Sequence, residues 1–139
     1  MKRIILLTSL VLLFASCKKT EFSPEGPTDI RIRNLSDMSF TEVTLKTSEY
    51  DEDVVIIPSI AAQATSGYQR FKKAYPKAEI SAKVYSAGSL ITVTTGKVDF
   101  TYMQYLSTQK VTFEVYIPNL ASRVLEISRV IPEEELVLK

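Results

Sequence analysis

Val111-Thr112-Phe113-Glu114-Val115-Tyr116-Ile117 is the stretch that decides the fold class. Apolar residues at 111, 113, 115 and 117 alternate with Thr112, Glu114 and Tyr116. Successive strand side chains point to opposite faces, so this pattern predicts a β-strand with one buried face. Pro118-Asn119 closes it, since proline cannot donate to a sheet ladder.

Working outward, the same period recurs. Val98–Tyr105 reads as a strand with Val98, Phe100 and Tyr102 inward, joined to Val111 by a polar turn at Leu106–Gln109. Before it, Leu90–Thr95 pairs with Ala78–Tyr85 across a hairpin connection at 86–89, and Ile80, Ala82 and Val84 face inward. Gly96-Lys97 makes a second tight turn. Thr28–Asn34 buries Ile30 and Ile32, and Leu35-Ser36-Asp37 turns. Met38–Thr47 carries Val43, Leu45 and Thr47 on one face, with Phe40 out of phase, which predicts a bulge between Phe40 and Val43. Ser48–Asp53 is an acidic turn, Val54–Ile57 a short strand ended by Pro58, and Ile60–Gly67 a connection. Tyr68–Tyr75 is open between two readings. Tyr68, Phe71 and Tyr75 fit helical spacing, while the aromatic content and the flanking Gly67 and Pro76 favour an extended segment. Val124–Ile131 adds a last strand, followed by an acidic, then apolar, tail at Pro132–Lys139.

Seven to nine short strands without helical crossovers predict an all-β domain, an antiparallel immunoglobulin-like β-sandwich, with a small closed barrel as the alternative. The sandwich belongs to the wider class, because the chain has one Cys and no Trp for the antibody-type core.

The N-terminus is of another kind. In Met1–Cys17 two cations, Lys2 and Arg3, precede an apolar run from Ile4 to Ala15. A spanning helix needs about 20 apolar residues, so the run has the length and flanks of a signal-peptide core. Leu13-Phe14-Ala15-Ser16-Cys17 resembles the lipobox of bacterial lipoproteins, with Phe14 where that motif usually carries Leu. The resemblance implies a diacylglyceryl group on the Cys17 thiol and cleavage between Ser16 and Cys17. Multiple acyl chains hold a protein on a membrane where one binds only marginally. The chain thus divides into a lipoprotein signal peptide (1–16), a lipidated tether (17–27) rich in Pro, Gly and polar residues, and a β-sandwich domain (28–139). Lys18-Lys19 after the cysteine, RIRNLSDMSFTEVTL from Arg31 and IAAQATSGYQRFKKAY from Ile60 resemble small Bacteroidetes-type lipoproteins of unknown function. The resemblance implies a β domain in the cell envelope, anchored to the outer membrane on a side left open, and supplies no catalytic residues.

Composition excludes more than it assigns. With no His in 139 residues, Ser–His–Asp and Cys–His arrangements are impossible. The only Cys is assigned to lipid, and no phosphate-cradling glycine motif occurs. No enzymatic role and no cofactor are expected. Asp51-Glu52-Asp53 offers hard oxygen atoms but lacks a calcium-loop pattern, so an ordinary acidic turn is expected and no metal. Glu133-Glu134-Glu135 reads as a solvated run. Removal of Lys2 and Arg3 leaves 15 cations against 16 anions, a net −1, which gives no field for nucleic acid. The densest cationic patch, Arg70, Lys72 and Lys73 with Lys77, surrounds Tyr68, Phe71 and Tyr75 and is the candidate ligand or partner surface.

Two functional readings follow. The first is a lipid-anchored structural or interaction module that presents a face or edge strand to another envelope protein. The second is a glycan- or small-ligand-binding lipoprotein using Tyr50, Tyr68, Tyr75, Tyr85, Tyr102, Tyr105 and Tyr116. Three or more of these tyrosines on one solvent face would favour the second.

Overall fold

A computed structural model describes residues 26–135. The signal peptide, its Ser16/Cys17 junction, the lipid attachment at Cys17 and most of the tether lie outside the described residues. The described chain is all β: β1 (Thr28–Asn34), β2 (Glu42–Lys46), β3 (Val54–Ile57), β4 (Gln69–Phe71), β5 (Glu79–Ser86), β6 (Ser89–Thr94), β7 (Gln109–Asn119) and β8 (Val124–Glu135).

The strands form one mixed sheet in the order β3-β2-β5-β6-β8-β7-β1-β4. Antiparallel pairing throughout does not hold. β1 runs parallel to β7 in a continuous register from Asp29↔Lys110 to Asn34↔Val115. β6 meets β8, also parallel, at the pair Thr94↔Val124. The sheet therefore consists of two four-stranded halves, β3-β2-β5-β6 and β8-β7-β1-β4, touching at one corner. Both feed one core, in which Val43, Leu45, Ile80, Ala82, Val84 and Val93 of the first half meet Ile30, Ile32, Val111, Phe113, Val115 and Leu125 of the second.

Local chemistry explains the turns. Ser86 pairs with Ser89 across a two-residue loop. Ala87 (φ 50°) and Gly88 (φ 77°) both take the left-handed conformation that a type I′ hairpin requires. After β1, the buried Asn34 ties two loops together. Its Oδ1 accepts from Ser36 N, and its Nδ2 donates to Met38 O at 2.8 Å and Ala61 O at 3.2 Å. Phe40 is buried despite its phase, because it leaves the β2 ladder and bridges to Ile60.

Two expected elements differ. Val98–Tyr105 forms no strand: Phe100 is buried, Val98 half-buried and Tyr102 wholly exposed. The register explains why. β6 ends beside Val124, whereas β7 begins opposite Glu135, so residues 95–108 must travel the length of β8. That is roughly 35–40 Å at about 3.3 Å per residue. The segment crosses from one half to the other and has no ladder to join. Left-handed residues Gly96, Tyr102 and Ser107 break its alternation. Conversely, the acidic tail is partly strand. β8 continues through Pro132 to Glu135, with Val111 opposite Pro132 at a register shift where the missing N–H is tolerated. Glu134 is therefore paired opposite Lys110, and Glu133 is the extra residue at the register shift. Glu133 accepts from Thr112 Oγ1 at 2.6 Å and lies 3.3 Å from Arg31, while Glu134 lies 2.7 Å from Lys110.

The outward row of β7 is also covered. Thr112 and Glu114 are buried. Glu114 lies 2.9 Å from both Arg33 and Arg129. Arg129 first, and then Arg33, hold its carboxyl below the usual range.

Candidate functional site

The crossover 95–108, the β2–β3 turn and the segment after β4 converge at one end of the first half. Thr47 Oγ1 donates to Lys73 O at 3.1 Å, Tyr75 N donates to Thr47 O at 3.2 Å, and Leu106 N donates to Ala74 O at 2.8 Å. These bonds clamp Lys73–Tyr75 between β2 and the crossover. On the other side, Glu79 Oε1 accepts from Val98 N at 3.1 Å, and Thr95 Oγ1 accepts from Ile80 N at 2.9 Å. Asp99 Oδ1 accepts from Thr101 N at 3.0 Å, which turns the chain just before Tyr102.

The result is an open groove of about 600 Å³, whose lining includes Lys46, Glu49, Tyr75, Glu79, Phe100 and Tyr105. Asp99, Thr101, Tyr102 and Met103 complete one wall. Tyr75 stacks against Phe100 at 5.3 Å and Tyr105 at 5.0 Å. Behind Tyr105, the Lys73 ammonium lies 4.4 Å from the Tyr105 ring centre, 4.8 Å from that of Tyr50 and 3.5 Å from Glu49. The Tyr105 hydroxyl, with Tyr75 and Glu49, holds this lysine protonated well above the ordinary lysine range, against the opposing effect of burial. Burial first, and then the Tyr105 hydroxyl and Glu49, push the Tyr75 phenol up. Neither group is primed as a nucleophile or base at neutral pH.

The cationic-aromatic segment singled out from the sequence is distributed over several surroundings. Tyr68 lies between Arg31 (4.8 Å) and Lys110 (5.4 Å) on the outer face of the second half. Arg70 pairs with Asp29 through two bonds of 2.8 and 3.1 Å. Phe71 is in the core. Lys72 is exposed, 3.7 Å from Glu52. Lys73 and Tyr75 alone reach the groove region. The segment is extended at Gln69–Phe71 and then irregular, with no helix.

The acidic turn does not converge on a common point. Asp51 lies 3.3 Å from Lys46 and Glu52 pairs with Lys72. Asp53 is buried, accepting from Ser48 Oγ at 2.8 Å and Lys72 N at 3.1 Å. Among the described residues, no group of three or more metal-ligating side chains forms.

The tyrosines divide. Tyr75, Tyr102 and Tyr105 line the groove, with Tyr50 across Lys73. Tyr85 is exposed on β5, opposite Leu90, and Tyr116 bonds Glu126 at 2.6 Å on β7. Sequence reasoning missed Glu49, Glu79, Asp99, Phe100 and Met103 as groove residues. The available signal was the Asp99–Thr101 spacing, which favours a turn within the alternating run.

No family model and no curated protein matches the chain. Among solved structures, the NMR structure of a protein from Eubacterium rectale is similar over 78% of this chain and 95% of its own, at 12% identity and a TM-score of 0.47.

Proposed function

We propose that this chain is a lipid-anchored lipoprotein of the cell envelope, of the small Bacteroidetes type, whose β domain is a structural or protein-interaction module. The anchoring half of the reading rests on Leu13–Cys17 following Lys2-Arg3 and the apolar run. The interaction half rests on one observation: β3 is the outermost strand of the first half, and its Ile56 and Val54 are 63% and 37% exposed. An edge strand with outward apolar side chains is a template for pairing with another chain. The finer architecture we propose is an immunoglobulin-like sandwich, supported by the contribution of both halves to one core. The location we propose is the outer membrane, on a side left open, which rests on the resemblance to small Bacteroidetes-type lipoproteins.

The test has two arms. Mass spectrometry of the membrane-extracted protein should give an acylated Cys17 at the N-terminus, and an unmodified thiol ends the anchoring reading. A pull-down of the lipidated protein should recover one stoichiometric partner that Ile56→Lys loses while the domain stays folded. Equal recovery by the variant ends the edge-strand reading.

A further inference from the structure

We propose that the groove between the β2 end, residues 73–75 and the crossover 98–105 binds a neutral saccharide, with Tyr102 as the stacking face, the exposed edge of Tyr105 beside it, and Glu49, Glu79, Asp99 and Lys46 bonding its hydroxyls. This goes beyond the anchoring and edge-strand reading and does not depend on it.

The charges around the groove bear on the ligand class. Three of the four charged groups lining the groove have an oppositely charged partner, Glu49 with Lys73, Glu79 with Lys97 and Lys46 with Asp51, while Asp99 accepts from the Thr101 amide. A site built for an anion would converge cations, and a cation site would leave carboxylates unneutralised. Here no cations converge, and among the described residues no three carboxylates come together. Oxygen atoms held by such pairs remain acceptors, because a carboxylate has about four lone-pair sites. They are oriented before a ligand arrives, which lowers the ordering cost of binding.

The aromatic content supplies the other half of the recognition. Sugars present patches of C–H beside hydroxyls, and a tyrosine ring with its own hydroxyl matches both. Tyr105 is 37% exposed; Tyr75 stacks on its ring and the Lys73 ammonium lies over it at 4.4 Å, so the ring is fixed and presents an exposed edge to the groove. Tyr102 is fully exposed at φ 63°, a left-handed conformation uncommon for a residue with a side chain. The Asp99 turn places it on the groove wall. A large ring held in water at an unfavourable backbone angle contributes nothing to the core, which points to a surface role. An apolar ligand fits poorly, since four charged side chains line the space.

The experiment uses the full chain, extracted in a sugar-free zwitterionic detergent, on an array of neutral glucan, galactan, mannan and xylan oligosaccharides. Calorimetry then follows with the best-retained one. Binding should survive 0.5 M NaCl. Tyr102→Ala should weaken it about tenfold or more, the order expected for a lost aromatic stacking face, and Tyr105→Ala, which removes an edge contact, should weaken it less. Tyr85→Ala, an exposed tyrosine away from the groove, should leave it unchanged. The proposal is overturned if no neutral oligosaccharide is retained, if only charged glycans bind and salt abolishes the signal, or if Tyr85→Ala weakens binding as much as Tyr102→Ala. Thermal denaturation of each variant separates loss of the groove from loss of the fold.

Discussion

Val111–Ile117 and Val98–Tyr102 carry the same alternation of apolar and polar residues and end in different structures. The first lies between β1 and β8, with its inward row in the core and its outward row under Arg33 and Arg129. The second crosses beside β8 as an irregular segment with one residue buried and another wholly in solvent. Period-two patterning states which side chains seek cover. It does not state whether a neighbour offers backbone partners. In β7 partners lie on both edges. In the crossover the sheet order leaves none, because β8 already occupies the place beside β6.

The largest test of this difference is Phe113→Ala. The side chain is fully buried among both halves, and its loss should cost about 3–5 kcal/mol by urea denaturation. Phe100→Ala, at the crossover's only fully covered ring, should cost about half as much, because Phe100 packs at the groove beside Tyr75. Equal costs would mean that the crossover is as much core as β7, and the contrast between them would fail.

Glu114→Gln comes next and is read against pH. The native carboxyl is held below its unfolded value, so it contributes stability above the ordinary carboxylate range. That contribution is lost as pH falls through the lowered native value. The wild type should therefore lose stability on acidification more steeply than the variant, which should be less stable at pH 7. Parallel thermal-denaturation profiles between pH 7 and 3 would contradict the depressed carboxyl. Gly96→Ala probes the start of the crossover. Space is open around the site, but φ is +81°, so backbone strain alone should cost about 1 kcal/mol. Tyr102→Ala should change stability by less than about 0.5 kcal/mol, since the ring is exposed. A larger loss would show that Tyr102 supports the crossover.

Much of the fold was legible residue by residue. Ile30, Ile32, Val43, Leu45, Ile80, Ala82, Val84, Val111, Phe113 and Val115 are all buried as their periodicity predicts. The 86–89 hairpin closes as expected. The misread parts share one cause. Val98–Tyr105, the extension of β8 to Glu135 and the parallel β1–β7 pair each depend on which strand lies beside which. No local pattern carries that information, because parallel neighbours are remote in the chain: Asp29 pairs with Lys110. The groove was illegible for the same reason, since Glu49, Tyr75, Glu79 and Tyr105 come from four separate segments.

The sequence by itself determined the all-β class, the inward rows of most strands, the 86–89 hairpin and the acidic turn at 48–53, and the absence of histidine chemistry, all of which follow from side-chain period and residue type, whereas the tight turn expected at Gly96-Lys97 is replaced by the crossover. Its Leu13–Cys17 motif carries the expectation of a lipid anchor. Tertiary structure alone decided strand order, the burial of Glu114 between two arginines and the meeting of aromatic rings and paired charges in one groove. Those depend on contacts between residues far apart in the chain, where a side chain's surroundings rather than its type decide what it does.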